Sequence, residues 1–383
     1  MIKLFTDDGA DINFNTRERY GITQLPIAVS DGENEFETGR AIDISNFYDN
    51  MRAGTVYSTA RVMPQVIEEA FREALEAGDE VLYISLSSGL SGSYEGAVMV
   101  KNALEKEYPG KIEVVDAKTG TFGEGLLAVK AAILRDRGES LTAIADYLNK
   151  IKTTSFEYFT VGTLEYLHRG GRVSKAAKIA GGVLQLCPML QVDKDKGTLE
   201  LLDVYRGQKA FLKKLKKYIL DQSKDGEFNP NQRVYVYSGD WPERVEVVKN
   251  FLIKDMGMKE ENIDTSQRVG CVIGAHTGPE VCVVTFSGDP DELSLMTTKF
   301  SHKKTGCNGR FFRVRKDFLL PLVSVVSKCV CSTLFPRAWK WRCRRPRWRR
   351  YRRSLGSDKE KSESMPWASW SPRRRWARRA VHS

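Results

Sequence analysis

The chain has 383 residues, which is enough for two domains of ordinary size, each with its own core. Its charge is unevenly placed, because residues 1–300 carry 36 lysines and arginines against 45 acidic residues, whereas residues 301–383 carry 24 against 4. The opening residues, MIKLFTDDGADI, lack the basic segment and long apolar core of a secretory signal. We therefore expect a cytoplasmic protein whose cysteines are free thiols.

The first half of the chain alternates apolar, strand-like runs with amphipathic helical stretches, which favours an α/β domain with a parallel sheet. The runs IKLFT, EVLYISL and KIEVVDA have the length and character of buried strands. Between the last two, SGSYEGAVMVKNALEKEYPG predicts a helix that ends at Pro109 and Gly110. Residues 64–78 also have helical apolar spacing, and the loop before them contains Ser58 and Thr59.

The second half predicts a mixed sheet. We expect strands in FTVGTLEYL, MLQVDKDKGTLELLDVYRG, RVYVYSGD and EVCVVTFSGD, and helices in QKAFLKKLKKYILDQ and PERVEVVKNFLIKDMG. The predicted fold is therefore α/β with two domains and a tail. Residues 1–155 form a mainly parallel α/β/α domain, residues 156–290 form a mixed-sheet α/β domain, and residues 291–383 form a mostly unstructured extension.

The last part of the chain has a different composition. From Arg337 it reads RAWKWRCRRPRWRRYRR, and six of the seven tryptophans lie beyond that point. We expect a disordered basic tail, because it shows no helical or strand period. Such a tail would suit nucleic acid or an anionic membrane, but an out-of-frame extension gives the same composition, and we favour that interpretation. Pro321 and Lys328 interrupt the apolar stretch 318–335, which argues against a membrane-spanning helix.

The stretch SLSSGLSGSYEGA, residues 85–97, joins a predicted strand to a predicted helix and holds five serines. It fails the hydrolase pattern G-x-S-x-G, since GLSGS ends in Ser93, and it lacks the lysine of a Walker loop and the glycines of a dinucleotide loop. An anion site remains, in which N–H groups near Gly92 and the hydroxyls of Ser88 and Ser91 would bind a carboxylate or phosphate. By itself, the loop is explained more simply by a serine that caps the helix.

Other polar residues lie where they could complete an anion site. GAHTGPE places His276 in a Gly/Pro-rich turn before a strand, where its imidazole could donate a hydrogen bond. Arg169 and Arg172 flank a glycine pair, and Arg206 follows a predicted strand. Each arginine taken singly is expected to be a solvated surface charge.

Several motifs in one order carry a resemblance to a known family. They are TDDGAD, LPIAVS, FYDNM, STARVMP, SSGLSGSYEGA, VVDAKTGTFGEG, TLEYLHRGGRVS, YRGQKA and GAHTGPE. From about residue 2 to about 288, this order resembles the DegV family, the fatty-acid-binding subunits of bacterial fatty acid kinase. The resemblance implies a two-domain DegV-type (EDD) fold that holds one long-chain fatty acid between its domains. It also implies that the protein is no enzyme by itself, needs no other cofactor, and presents the carboxylate to a separate kinase subunit that forms an acyl phosphate.

The resemblance also assigns residues. Thr59 and Ser91, 32 residues apart as in the family, match its carboxylate-binding threonine and serine, and His276 matches a histidine near the head group. Arg172 and Arg206 match positions that contact the kinase. Hydroxyl donors suit a carboxylate that must later react better than an arginine clamp would, because such a clamp occupies both oxygens. The predicted carboxylate site comprises Thr59, Ser88, Ser91, Gly92, Ser93 and His276.

Several departures from the family and two alternative functions accompany this interpretation. Thr59-Ala60-Arg61 stands where the family has Thr-Ser-Gln, which bears on the acyl-chain preference and the head-group geometry. Asp7-Asp8 stands where the family has Asp-Ser, and Ser93 where threonine is commoner. The first alternative is a hydrolase or transferase that uses Ser91 with His276, and the second is a binder of nucleic acid or membranes through the tail. The largest departure is the tail itself. The expected partners are the fatty acid, the kinase catalytic subunit and, transiently, a membrane surface, with no specific nucleic acid.

Overall fold

The structure, a computed structural model, describes residues 1–173, 186–223 and 226–287. Its strands are β1 (Ile2–Asp7), β2 (Ile22–Leu25), β3 (Val29–Ser30), β4 (Glu35–Phe36), β5 (Ser58–Thr59), β6 (Glu80–Ser85), β7 (Ile112–Asp116), β8 (Ser155–Val161), β9 (Cys187–Val192), β10 (Leu199–Tyr205), β11 (Val234–Ser238), β12 (Ile263–Asp264) and β13 (Val281–Ser287). Its α-helices are α1 (Phe14–Tyr20), α2 (Ile44–Arg52), α3 (Pro64–Glu76), α4 (Ser93–Leu104), α5 (Thr121–Asp136), α6 (Leu141–Ile151), α7 (Glu165–Arg169), α8 (Gln208–Asp221), α9 (Pro242–Met256) and α10 (Cys271–Thr277). Short 3-10 helices cover Asp8–Ala10, Gly39–Ala41 and Glu260–Asn262.

The first sheet contains four parallel strands in the order β2-β1-β6-β7. Alternate side chains of β6 enter different cores. Val81 and Tyr83 pack with α3 and α4, whereas Leu82 and Ile84 pack with α5 and α6. Because helices cover both of its faces, the central residues of this strand, 81–84, are all apolar and do not alternate with polar ones. The predicted parallel α/β arrangement is confirmed.

The second sheet is mixed and has the order β10-β9-β8-β13-β11-β12, in which only the β11–β12 pair is parallel. Its outer face packs against α8 and α9. On the inner face, Phe159 and Val283 share a core with α5, a helix that is buried along Thr121–Leu134. This helix therefore lies between the two sheets and joins them.

Two local predictions in the second half are wrong. The predicted strand FTVGTLEYL ends at Val161, and α7 follows after a short turn in which the Thr163 hydroxyl accepts a hydrogen bond from the Glu165 N–H. His276 lies in helix α10 and not in a turn. Gly278, with φ of 82°, ends that helix, which has seven residues and is too short to show a period.

The predicted boundary at 155/156 coincides with the start of β8, so strands on either side of it belong to different sheets. All described residues nevertheless belong to one compact unit, and the boundary stays a prediction. The predicted extension 291–383 and the apolar stretch 318–335 lie outside the described residues. Within those that are described, no helix is both long and apolar enough to cross a bilayer.

A third, small sheet is antiparallel with the strand order β4-β3-β5, and it holds Thr59, a predicted site residue, in place. Strand β5 consists of Ser58 and Thr59, which pair with Ser30 and Val29. The next residue, Ala60, extends the pairing through an N–H that donates to the Ala28 carbonyl at 3.0 Å. Thr59 is therefore fixed by backbone hydrogen bonds and not carried on a free loop.

Candidate functional site

A cavity of about 700 Å³, including its opening to solvent, lies between the serine loop, strand β5 and the inner face of the mixed sheet. Most of the lining is aliphatic or aromatic. The apolar lining includes Leu86, Leu90, Phe159, Val192, Val272 and Val283, and the polar lining includes Thr59, Ser91, Thr121, Glu157, Arg172 and His276.

Thr59 and His276 form the first polar pair in this lining. The Thr59 Oγ1 and His276 Nε2 atoms are 2.7 Å apart. The other ring nitrogen, Nδ1, is buried and has no hydrogen-bond partner among the described residues. It faces Gly170, where a Cβ atom would lie 2.2 Å from Nδ1, so only glycine leaves room for the ring.

These contacts assign the imidazole proton. A proton on Nδ1 would be a buried donor without an acceptor, which is rarer and costlier than an unused acceptor. We therefore place the proton on Nε2, from which it donates to Thr59 Oγ1. The threonine hydroxyl then has its own proton free to donate into the cavity.

Ser91 is prepared in the same way by Ser93. The Ser93 Oγ accepts a hydrogen bond from the Val62 N–H at 3.1 Å and lies 2.9 Å from Ser91 Oγ, which also accepts from the Ser93 N–H at 3.2 Å. Because Ser93 is completely buried, its hydroxyl proton is best satisfied by donation to Ser91. Both lone pairs of Ser91 Oγ are then used, and its proton points elsewhere. Ser91 thus becomes a second donor on the cavity wall.

Neither of these two hydroxyls hydrogen-bonds a carboxylate among the described residues. Burial, assisted by the nearby Arg172 guanidinium, lowers the pKa of His276 from 6.5 to about 4, so the imidazole is neutral at pH 7. Arg172 itself donates to the carbonyl oxygens of Leu90 and Gly170. Two hydroxyl donors beside a guanidinium suit an anion, and the apolar lining suits a hydrocarbon chain.

The structure places four other predicted site residues outside this lining, namely Ser88, Gly92, Ser93 and Arg206. Ser88 turns away, because its hydroxyl donates to Asp116 at 2.5 Å and lies 3.2 Å from Lys118 Nζ. Gly92 is the residue before α4, and Ser93 lies behind Ser91. Arg206 is exposed just after β10, whereas Arg172 lines the cavity.

Sequence reasoning missed Glu157 and Thr121, which lie in the cavity wall. The Glu157 carboxylate accepts hydrogen bonds from the Thr121 hydroxyl at 2.7 Å and from the Gly123 N–H at 3.2 Å. Glu157, which lies in strand β8, therefore caps the N-terminal turn of helix α5. Burial raises the pKa of Glu157 to about 7. An acidic residue inside the otherwise apolar run SFEYFTV was the available signal.

The geometry does not form the pair that a serine hydrolase needs. Nε2 of His276 bonds Thr59, and no hydrogen bond links His276 to Ser91 in the described residues. Without that bond, His276 is not placed to take the Ser91 proton. The described residues also contain no cluster of side chains that could hold a metal ion.

Comparisons with known proteins agree with this fold. A family model described as "Uncharacterised protein, DegV family" matches residues 1–289. A DegV domain-containing protein of Clostridium perfringens is 31% identical over 293 residues, which are 76% of this chain and 98% of that protein. Another, from Caldanaerobacter subterraneus, is 30% identical over 286 residues, which are 74% of this chain and 98% of that protein.

Two solved structures show the same architecture. One is of a DegV family protein from Thermus thermophilus, described by its fatty acid binding, with a TM-score of 0.66 and 27% identity. The other is of a stearic acid-binding protein from Eubacterium ventriosum, with a TM-score of 0.65 and 27% identity. Each match covers 75% of this chain and 99% of the other. Family model, relatives and fold coincide over the same part of the sequence, and the chain belongs to the DegV family.

Proposed function

We propose that this protein binds one long-chain fatty acid, with its carboxylate at Thr59 and Ser91 and its acyl chain in the apolar cavity. The observation that carries the proposal is the pair of hydroxyls in the cavity wall, each within hydrogen-bond distance of a residue behind it. With the directions assigned above, each hydroxyl keeps one proton to donate. A carboxylate has two oxygens and accepts only, so it matches two convergent O–H donors. The fatty-acid-binding proteins from Thermus thermophilus and Eubacterium ventriosum support this ligand class.

The same geometry suits a carrier better than an enzyme. The hydroxyl donors are neutral, and a carboxylate that they hold keeps lone pairs available for a later phosphoryl transfer. We propose that a separate kinase subunit carries out that transfer to give an acyl phosphate. Arg172 and Arg206 stay our proposed contacts for this partner. A cytoplasmic location and a transient membrane encounter belong to the same proposal.

The test is mass spectrometry of lipid extracted from the purified chain, beside Thr59→Val and Ser91→Ala variants. Ser88→Ala is the matched control, because Ser88 belongs to the same loop but does not line the cavity. Its hydroxyl donates a hydrogen bond to Asp116. We expect about one fatty acid per chain in the wild type and in the control, and much less in the two variants.

Two results would count against the carrier. A folded wild-type protein that holds no lipid and takes up no added fatty acid would exclude fatty-acid binding. Hydrolysis of simple esters that is lost in Ser91→Ala and in His276→Ala would instead favour the hydrolase alternative. Equal lipid loss in all three variants, including Ser88→Ala, would show that the loop and not the two hydroxyls determines binding.

A further inference from the structure

Arg61 does not itself line the cavity but directly follows the lining residues Thr59 and Ala60. Ala60 and Arg61 are both exposed, and we define this exposed edge of the lining as the mouth of the cavity. The Arg61 side chain lies across Gly92, since a Cβ atom built there would be 3.4 Å from Arg61 Cδ and 3.5 Å from one terminal guanidinium nitrogen. Gly92 directly follows Ser91. The exposed guanidinium is therefore next to the loop that carries a head-group hydroxyl.

The charge at this mouth is not balanced by ion pairs. In the parts of the chain that the structure describes, neither Arg61 nor Arg172 lies within ion-pair distance of a carboxylate, and Asp116 is already paired with Lys118. The positive charge of Arg172 also helps to lower the pKa of His276. Two arginines without a carboxylate partner thus lie at or beside the part of the cavity wall that holds Thr59 and Ser91, while the Glu157 carboxylate elsewhere in the lining is bonded to Thr121 and Gly123.

An exposed arginine is usually a solvated charge that contributes little. Arg61 differs from a typical exposed arginine in its position. An anion held by Thr59 and Ser91 would lie closer to the guanidinium than the distance of about 10 Å over which salt screens charges. The guanidinium is too exposed to act as a buried bidentate clamp. Its effect would come through charge, so it would depend on whether the ligand is ionised and on the salt concentration.

We propose that Arg61 is a specificity-determining residue that favours an occupant with an ionised head group over a neutral one with the same hydrocarbon chain. The inference rests on the proposed function, because it assumes that the head group lies at Thr59 and Ser91. The ligand class that it selects is the free acid anion, as opposed to the corresponding alcohol or ester.

The experiment measures equilibrium binding of hexadecanoic acid and of hexadecan-1-ol to the delipidated full chain at low and at high ionic strength. It compares the wild type with Arg61→Gln and Arg61→Lys. Arg19→Gln is the control, since Arg19 is an exposed arginine at the end of α1 and does not line the cavity. We expect Arg61→Gln to weaken binding of the acid about two- to five-fold at low salt. Binding of the alcohol should not change, and Arg61→Lys and Arg19→Gln should both behave like the wild type.

Added salt should shrink the difference between the wild type and Arg61→Gln, because screening weakens a charge interaction of this kind. Wild-type affinity of Arg61→Gln for the acid would overturn the inference and leave the proposed function intact. Equal losses for acid and alcohol would also overturn it, because they would show that Arg61 acts through packing. A wild-type protein that binds neither ligand would contradict the proposed function itself.

Discussion

Hydrogen-bond direction at two hydroxyls determines what the cavity can accept. In the assigned directions, the Thr59 oxygen accepts a hydrogen bond from His276 and the Ser91 oxygen accepts one from Ser93, so each hydroxyl is left with its own proton to donate. Chains of this kind polarise their members, which makes the terminal donor stronger. Ser88 shows the contrast, because its proton is already donated to Asp116. The neutral state of His276 also has a measurable consequence for stability.

Stability should depend on pH through His276. The pKa of the folded state is about 4 and the ordinary value is 6.5, so between these values the unfolded chain binds a proton that the folded chain does not. The His276 contribution is fully present above pH 6.5 and is lost as the pH falls towards 4. Between pH 7 and pH 5, we expect the free energy of unfolding of the wild type to fall by up to about 2 kcal/mol more than that of His276→Gln.

Urea unfolding of both proteins at the two pH values measures this difference. Buried carboxyls such as Glu157 and Asp7 have raised pKa values and titrate in the opposite sense, but they are present in both proteins and cancel in the comparison. Parallel pH profiles for the wild type and His276→Gln would contradict the assignment of a neutral, desolvated imidazole.

At the scale of elements, the serine loop is packed against the turn of the β9–β10 hairpin. The Ser87 hydroxyl donates to the Gly197 carbonyl at 2.8 Å, and the two backbones meet at Gly89. The hairpin supplies Val192 and Leu199 to the cavity wall. This contact therefore fixes the loop of Ser91 relative to the apolar wall opposite.

Replacement of Gly89 should loosen that contact. A Cβ atom there would lie 2.5 Å from the carbonyl carbon and oxygen of Gly197, which are backbone atoms that cannot rotate away. We expect Gly89→Ala to lower the free energy of unfolding by about 1–3 kcal/mol, measured by urea or thermal unfolding.

Gly96→Ala is the matched control for this prediction. Gly96 lies inside α4, where the nearest atom to an added Cβ, Pro64 Cγ, is 3.6 Å away. Alanine there should be neutral or should stabilise the protein by up to about 1 kcal/mol. A Gly89→Ala protein as stable as Gly96→Ala would show that the loop and hairpin separate easily.

For the whole molecule, the sequence predicted the architecture well because its signals are local. The parallel strands of the first sheet are buried on both faces and read as continuous apolar runs. The helix that holds His276 was missed because it is too short to show a period. Ser88 and Ser91 could not be separated either, since only the partner that each hydroxyl meets, Asp116 or Ser93, tells them apart.

The separation of charge along the chain gives the last prediction. The described residues lie in the part of the chain that carries an excess of acidic groups, whereas residues 301–383 carry a large excess of lysine and arginine. We expect the full chain to bind immobilised DNA at low ionic strength without sequence preference, with an affinity that falls steeply as salt is added. A chain ending at residue 300 should pass through the same column, because its net charge is negative. Retention of that shorter chain would place the DNA-binding charge in the body, and the mouth arginines Arg61 and Arg172 would then be the first residues to replace.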